Sequence, residues 1–124
     1  MNKRILLIED NAQNRYLANF LLESRGWDMV HAEDGPTGVA LAARTDPVLI
    51  LLDIQLPGMD GYAVAQALRA DPQLRRIPIV AVTSYAMAGD RERCLAAGCN
   101  GYIEKPIDPQ TFADEVERYI EGAA

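Results

Sequence analysis

The sequence predicts an α/β fold, a doubly wound, five-stranded parallel sheet flanked by five helices. Three observations predict it. Short apolar runs alternate with helical patterns along the whole chain, as parallel strands joined by right-handed crossovers require. The strongest runs are apolar throughout, as in strands covered by helices on both faces. Polar residues follow those runs abruptly, at Glu9–Asp10, Asp53 and Thr83–Ser84.

The elements follow in order. The first strand is RILLI, Arg4–Ile8. NRYLANFLLESR, Asn14–Arg25, sets Tyr16, Leu17, Phe20, Leu21 and Leu22 at helical spacing, and Gly26 stands where a C-terminal glycine cap belongs. WDMVHA, Trp27–Ala32, alternates and suits a sheet edge. GPTGVALAAR, Gly35–Arg44, is an Ala-rich helix with Pro36 in its first turn. LILL, Leu49–Leu52, reads as a strand buried on both faces. YAVAQALRAD, Tyr62–Asp71, is a helix that ends before Pro72. IPIVAVT, Ile77–Thr83, is the fourth strand. DRERCLAAG is a helix capped by Asp90 and closed at Gly98, and GYIE, Gly101–Glu104, is the fifth strand. The last helix is PQTFADEVERYIEG, with Asp108 as its cap and Pro109 at its first position. Phe112, Val116 and Ile120 form one apolar stripe on it.

The length of 124 residues fits one domain, 1–124, without linker, repeat or low-complexity tract. A chain of this size buries roughly two-thirds of its unfolded surface and needs no covalent staple. The net charge of −6 and pI near 4.7 argue against direct nucleic-acid binding and against docking on an anionic membrane. Cys94 and Cys99 match no metal-binding spacing and read as half-buried thiols in a reducing compartment. The apolar run after Met1 is too short for a signal peptide, and no stretch is long enough to span a bilayer. A soluble, cytoplasmic protein is expected.

In an open parallel sheet, ligands bind beyond the carboxyl ends of the strands, where the strand order reverses. Glu9 and Asp10, Asp53, Thr83 and Lys105 follow four of those strands. Each has a plain alternative: Asp10 as a helix cap, Glu9 as a solvated loop residue, Thr83 as a strand former, Lys105 as a surface charge. Matching chemistry at four strand ends by accident is the weaker explanation. Clustered carboxylates repel and raise one another's pKa, and a hard divalent cation such as Mg²⁺ removes that cost. A carboxylate can also act as a nucleophile and form an acyl phosphate, with Mg²⁺ and a lysine offsetting the charge on the phosphoryl oxygens. Asp53 therefore stands where a phosphoryl acceptor beside a metal would.

LLIEDN (Leu6–Asn11), LLDIQLPGMDG (Leu51–Gly61), IVAVTSYA (Ile79–Ala86) and GYIEKPID (Gly101–Asp108) occur in this order. With them the chain resembles a response-regulator receiver domain, of the single-domain style of chemotaxis and cell-cycle regulators. The stretch from Thr83 to Ile107 is most similar to the DivK type. The resemblance implies a flavodoxin-like sheet of order 2-1-3-4-5. It implies that Asp53 accepts a phosphoryl group from a phosphohistidine on a kinase or phosphotransfer protein. Mg²⁺ would be held by Asp10, Asp53 and the backbone carbonyl of Gln55, with Glu9 acting mainly through water. Lys105 would pair with Asp53 or its phosphate, across a cis Lys105–Pro106 bond. Thr83 would sense the phosphoryl oxygen, and Tyr102 would be the switch aromatic. The downstream protein would dock on the face of helix 4, strand 5 and helix 5. Leu56 replaces the family's methionine before the turn proline, and Gln55 and Tyr85 occupy positions where phosphate lifetime is tuned. The protein itself would not be an enzyme, beyond helping its own phosphorylation and dephosphorylation.

Three rivals stand beside this reading. A haloacid-dehalogenase-type phosphatase needs a second acid two residues after its nucleophile, where this chain has Gln55. A binding module that never carries phosphate usually lacks an acid or the lysine, and all are present here. A receiver cut from a hybrid kinase is disfavoured by Met1 and by the chain end just after the last helix. His31 reads as a structural or solvent residue, Trp27 as packing at a helix-to-strand turn, and Arg75, Arg76, Arg91 and Arg93 as solvated, the last two near a partner site.

Overall fold

Strands β1 (Arg4–Ile8), β2 (Asp28–Ala32), β3 (Leu49–Asp53), β4 (Ile79–Thr83) and β5 (Gly101–Glu104) alternate with helices α1 (Ala12–Glu23), α2 (Gly35–Thr45), α3 (Gly61–Ala70), α4 (Ala88–Ala97) and α5 (Phe112–Ala123). The structure, a computed structural model, describes residues 2–84 and 88–123. All strand pairs are parallel, and the order is β2-β1-β3-β4-β5. The order reverses between β1 and β3, which puts the ligand-binding crevice beyond their carboxyl ends.

Strand alternation splits the core in two. Ile5, Leu7, Leu49, Leu51, Val80, Val82 and Ile103 pack against Ala18 and Leu22 of α1 and Phe112 and Val116 of α5. Leu6, Ile8, Ile50, Leu52, Ile79 and Ala81 pack against α2, α3 and α4, including Ala42, Val64, Leu68 and Cys94. Both faces are therefore covered, which is why β3 and β4 carry no polar residue before their last positions, Asp53 and Thr83. Strand β2 is an edge, as expected, but its burial does not alternate strictly: Met29 and Val30 are both half-buried between exposed Asp28 and His31, and Ala32 is buried.

Several boundaries differ from the sequence expectation, each for a local reason. Strand β3 includes Asp53, which stays in register with Val82, so the carboxylate sits on the sheet and not in the loop. Strand β4 starts at Ile79, because Ile77 donates its N–H to Leu74 in a turn and Pro78 has none. Strand β2 starts at Asp28, since the Trp27 N–H still closes the preceding helix on Leu22. Helix α1 is capped by Asn11, whose Oδ1 accepts from the Asn14 N–H at 2.9 Å, and this leaves Asp10 outside the cap. Asp90 lies inside the first turn of α4 and is not its cap. Helix α5 starts at Phe112, not Pro109: the Asp108 side chain accepts from Gln110 N–H at 2.9 Å, and its carbonyl accepts from Thr111 and Phe112. Tyr16 and Phe20, read as part of the apolar pattern of α1, are 73% and 60% exposed, and burial falls on Ala18 and Leu22.

The amino edge of the sheet is tied by one side chain that no motif announces. Arg69, at the end of α3, donates from Nε to the Gly98 carbonyl (2.8 Å), and from Nη1 to those of Arg75 and Ile77 (2.8 Å each). Its Nη2 donates to Asn100 Oδ1 at 2.7 Å, and that oxygen also accepts from the Ile79 N–H at 2.8 Å. The loops before β4 and β5 are thus bound to one guanidinium.

Candidate functional site

The carboxyl ends of β1, β3, β4 and β5 converge. Asp53 ends β3 and Thr83 ends β4, 2% and 1% exposed, while Glu9 follows β1 and is 2% exposed. A buried carboxylate is costly unless paired. The pairing comes from Lys105, one residue past β5, whose Nζ lies 2.9 Å from Glu9 Oε1 and 3.2 Å from Asp53 Oδ1. Its backbone is fixed by an N–H donated to the Thr83 carbonyl at 2.8 Å, and the Lys105–Pro106 bond is cis. Lys105 was expected to face Asp53; it bridges Asp53 and Glu9, and the closer partner is Glu9. Sequence gave no signal for that contact, because it depends on side-chain reach from β5 to β1, across the whole of β3 and β4.

Glu9, Asp10 and Asp53 each offer a carboxylate oxygen, and these atoms lie within 4.8 Å of one another. Asp10 is the exposed member. Three hard oxygen donors around one point suit a small divalent cation better than any soft metal. Burial is the largest effect that pushes the Glu9 carboxyl up, to about 7, and the adjacent Asp53 adds to it against the pull of Lys105. For Lys105 burial alone would lower the ammonium's pKa. Its bonds to Glu9 and Asp53 and their negative fields outweigh burial and hold it above its ordinary value. The site is one coupled set of charges.

The turn after β3 shapes this set. Asp53 Oδ1 accepts from the Gln55 N–H at 3.0 Å, which orients the carboxylate. Gly58 has φ +74, a conformation that side chains rarely adopt. Gly61 packs so closely under the strand end that a Cβ there would lie 2.5 Å from Ile54 Cα and 2.7 Å from the Asp53 carbonyl oxygen. The Gln55 side chain is held by Ser84, whose Oγ donates to Oε1 at 2.9 Å. Arg15, one turn into α1, donates to the Glu9 carbonyl at 2.9 Å and pairs with Glu33. Tyr85 lies outside the described residues.

Thr83 and Tyr102 lie on adjacent strands. Tyr102 pairs in register with Ala81, and Thr83 with Glu104. Tyr102 packs against the core that contains Ile79 and Ala81, so by alternation it shares a sheet face with Thr83, one diagonal position away. Half-buried, its ring carries the Arg91 guanidinium at 5.5 Å, and Arg93 covers Tyr62 at 4.0 Å. Both arginines are exposed, as expected, but each rests on an aromatic ring. Trp27 does pack at the turn after α1, and its Nε1 donates to Glu117 at 2.9 Å. Cys94 and Cys99 are free, and both are buried, more deeply than expected. Burial pushes both thiols up, Cys99 to about 12, which leaves them inert.

Residues 5–117 match the response regulator receiver domain family. The chain belongs to that family. The receiver is 40% identical over 123 residues to the polar-differentiation response regulator DivK of Brucella ovis, covering 99% of this chain and 100% of the relative. Among solved structures, the receiver domain of sensor histidine kinase PA1611 from Pseudomonas aeruginosa PAO1 superimposes with a TM-score of 0.89 at 38% identity, over 98% of this chain and 99% of that one. That structure holds a magnesium ion in its active-site cleft. The receiver domain of a histidine kinase from Syntrophus aciditrophicus gives a TM-score of 0.87 at 32% identity, over 97% and 91% of the two chains. The receiver is thus a response regulator of two-component signalling, DivK-like in sequence. Receivers of this kind are phosphorylated by histidine kinases and act on downstream partners, and they are not enzymes in their own right. No described helix is long and apolar enough to cross a membrane.

Proposed function

We propose that Asp53 is the phosphoryl acceptor of this receiver and that the charge change drives a protein-binding switch in the cytoplasm. An oxygen of the Asp53 carboxylate attacks the phosphorus of a phosphohistidine on a kinase or phosphotransfer protein. The P–N bond breaks, its electron pair stays on the imidazole nitrogen, and an acyl phosphate forms on Asp53. Hydrolysis reverses the state: water attacks the phosphorus, the P–O bond to the carboxylate breaks, and inorganic phosphate leaves. The domain assists both steps by position and charge, without a general base of its own: Gln55 stands where a phosphatase would need a second acid.

Asp10, Asp53 and the Gln55 carbonyl would hold Mg²⁺, with Glu9 contributing through water. Bound there, Mg²⁺ would offset both the clustered carboxylates and the phosphoryl oxygens. Lys105 follows the charge, from its shared place between Glu9 and Asp53 to the new phosphate. Thr83 donates its hydroxyl to a phosphoryl oxygen, and Tyr102 moves into the space beside it, over the small side chain of Ala81. The face of α4, β5 and α5 then changes shape. What supports this reading most is one observation: a buried Asp53 carboxylate 3.2 Å from Lys105 Nζ, in a trio of acids.

The test is labelling with a small phosphodonor and Mg²⁺, followed by mapping. One label is expected, on Asp53, abolished in Asp53→Asn and by a chelator; label persisting in that variant at the wild-type level contradicts the assignment. Thr83→Ala should accept the label yet lose the phosphorylation-dependent gain in partner binding.

A second context has its own support. Two of the solved relatives are receivers of histidine kinases, at 38% and 32% identity. The domain 1–124 would then be one part of a longer kinase, with the same chemistry at Asp53. The mass of the native protein in its source cells decides between the two.

A further inference from the structure

The groove between α4, β5 and α5 has a charge pattern that the switch does not use. It encloses about 310 Å³, with Ile103 and Phe112 in its floor and Tyr102 and Tyr119 in its walls. Glu104, Asp108 and Glu115 line it against one cation, Arg91. Among the described residues no ion pair engages any of these three acids, and Arg91 rests on the Tyr102 ring. The neighbouring groove between α3 and α4 differs: one acid, Asp60, faces one base, Arg93. An acidic excess is thus a property of this groove and not of every cleft on an acidic protein.

We propose that this groove binds a partner protein through an arginine flanked by apolar residues. The proposal rests on the reading of α4, β5 and α5 as the output face. Two tyrosine rings beside unpaired carboxylates match the flat, multiply donating guanidinium better than the compact ammonium of lysine. The chain itself shows that the site accepts such a group, because Arg91 already lies over Tyr102. The apolar floor takes the flanking side chains. Charge complementarity of this kind selects among partners and speeds their encounter.

The experiment is an NMR titration of the full chain with acetyl-Leu-Arg-Leu-amide, and with the Lys and Glu analogues, before and after phosphorylation. Saturable shifts are expected at Tyr102, Glu104, Glu115 and Tyr119 with the Arg peptide, weaker ones with Lys, and none with Glu. Glu104→Gln/Glu115→Gln, changes outside the core, should weaken the Arg peptide about threefold to fivefold, the scale of one or two exposed ion pairs. Binding should also weaken as salt rises from about 50 to about 300 mM, as screening shortens. Equal binding of the Glu peptide, or no loss in the double variant, overturns the proposal. If phosphorylation shifts these amides while no peptide binds, the arginine assignment is wrong and the output face stands. If the Arg peptide binds as expected but phosphorylation leaves the groove unchanged, the groove chemistry stands and the output reading falls.

Discussion

Two half-buried cations sit at opposite edges of the sheet and do opposite things. Arg69, at the amino edge, donates to the carbonyls of Gly98, Arg75 and Ile77 and to the amide oxygen of Asn100. Those acceptors are neutral and do not titrate. Lys105, at the carboxyl edge, is shared between Glu9 and Asp53. Its partners carry charge that a proton, a metal or a phosphoryl group can change. The guanidinium fixes one edge as a frame, and the ammonium leaves the other free to rearrange. The proposed switch needs both, since a charge change at Asp53 would move the face of α4, β5 and α5 only if the rest of the sheet holds still.

The comparison can be broken most easily at Arg69. Arg69→Ala leaves several loop carbonyls without a donor, and we expect a loss of about 2–3 kcal/mol in unfolding free energy. Phosphorylation at Asp53 should stay within about twofold of wild type, because the frame carries no chemistry. Urea unfolding and labelling rates on one preparation check both halves. A slowed label in a stably folded variant would show that the edges are coupled.

Lys105→Ala should give the inverse result. Labelling is expected to fall about tenfold or more, the loss of one charged group that stabilises the transferred phosphoryl oxygens. Stability should change less than in Arg69→Ala, because Glu9 takes up a proton when its cation is removed.

The smallest effect is a pH dependence of metal stabilisation. The folded Glu9 carboxyl is raised from 4.5 to about 7, so the folded state binds that proton more tightly than the unfolded chain. Its contribution to stability is complete below about 4.5 and is lost as pH rises through about 7. Mg²⁺ needs the anionic cluster, so the stabilisation it confers should grow between about pH 5 and about pH 7.5. Melting temperatures with Mg²⁺ and with chelator at the two pH values measure this, and Glu9→Gln should flatten the metal-free slope. Equal Mg²⁺ stabilisation at both values would contradict it.

The difference between the edges also marks what the sequence reveals. The sheet was legible because its strands are apolar on both faces, and the carboxyl-edge acids because they interrupt those runs. Asp10 is a good cap on paper, and the fold gives the cap to its neighbour Asn11 instead. Asp108–Pro109 looks like a helix start because the turn that precedes α5 uses the same residues for the same hydrogen-bonding reason. Arg69 leaves no trace because its acceptors are backbone and Asn100, which sequence pattern does not position. Tyr16 and Phe20 keep helical spacing, yet face solvent, since period alone does not say which of two aromatic or aliphatic rows meets the sheet.

The most direct test of the switch-and-frame account is an amide NMR comparison of the receiver before and after phosphorylation with Mg²⁺. Large shifts are predicted at Asp53, Thr83, Tyr102, Glu104 and Lys105, with Ile79, Gly98 and Asn100 close to their starting positions. Shifts of equal size at both edges, or unmoved Thr83 and Tyr102 in a fully phosphorylated sample, would contradict it.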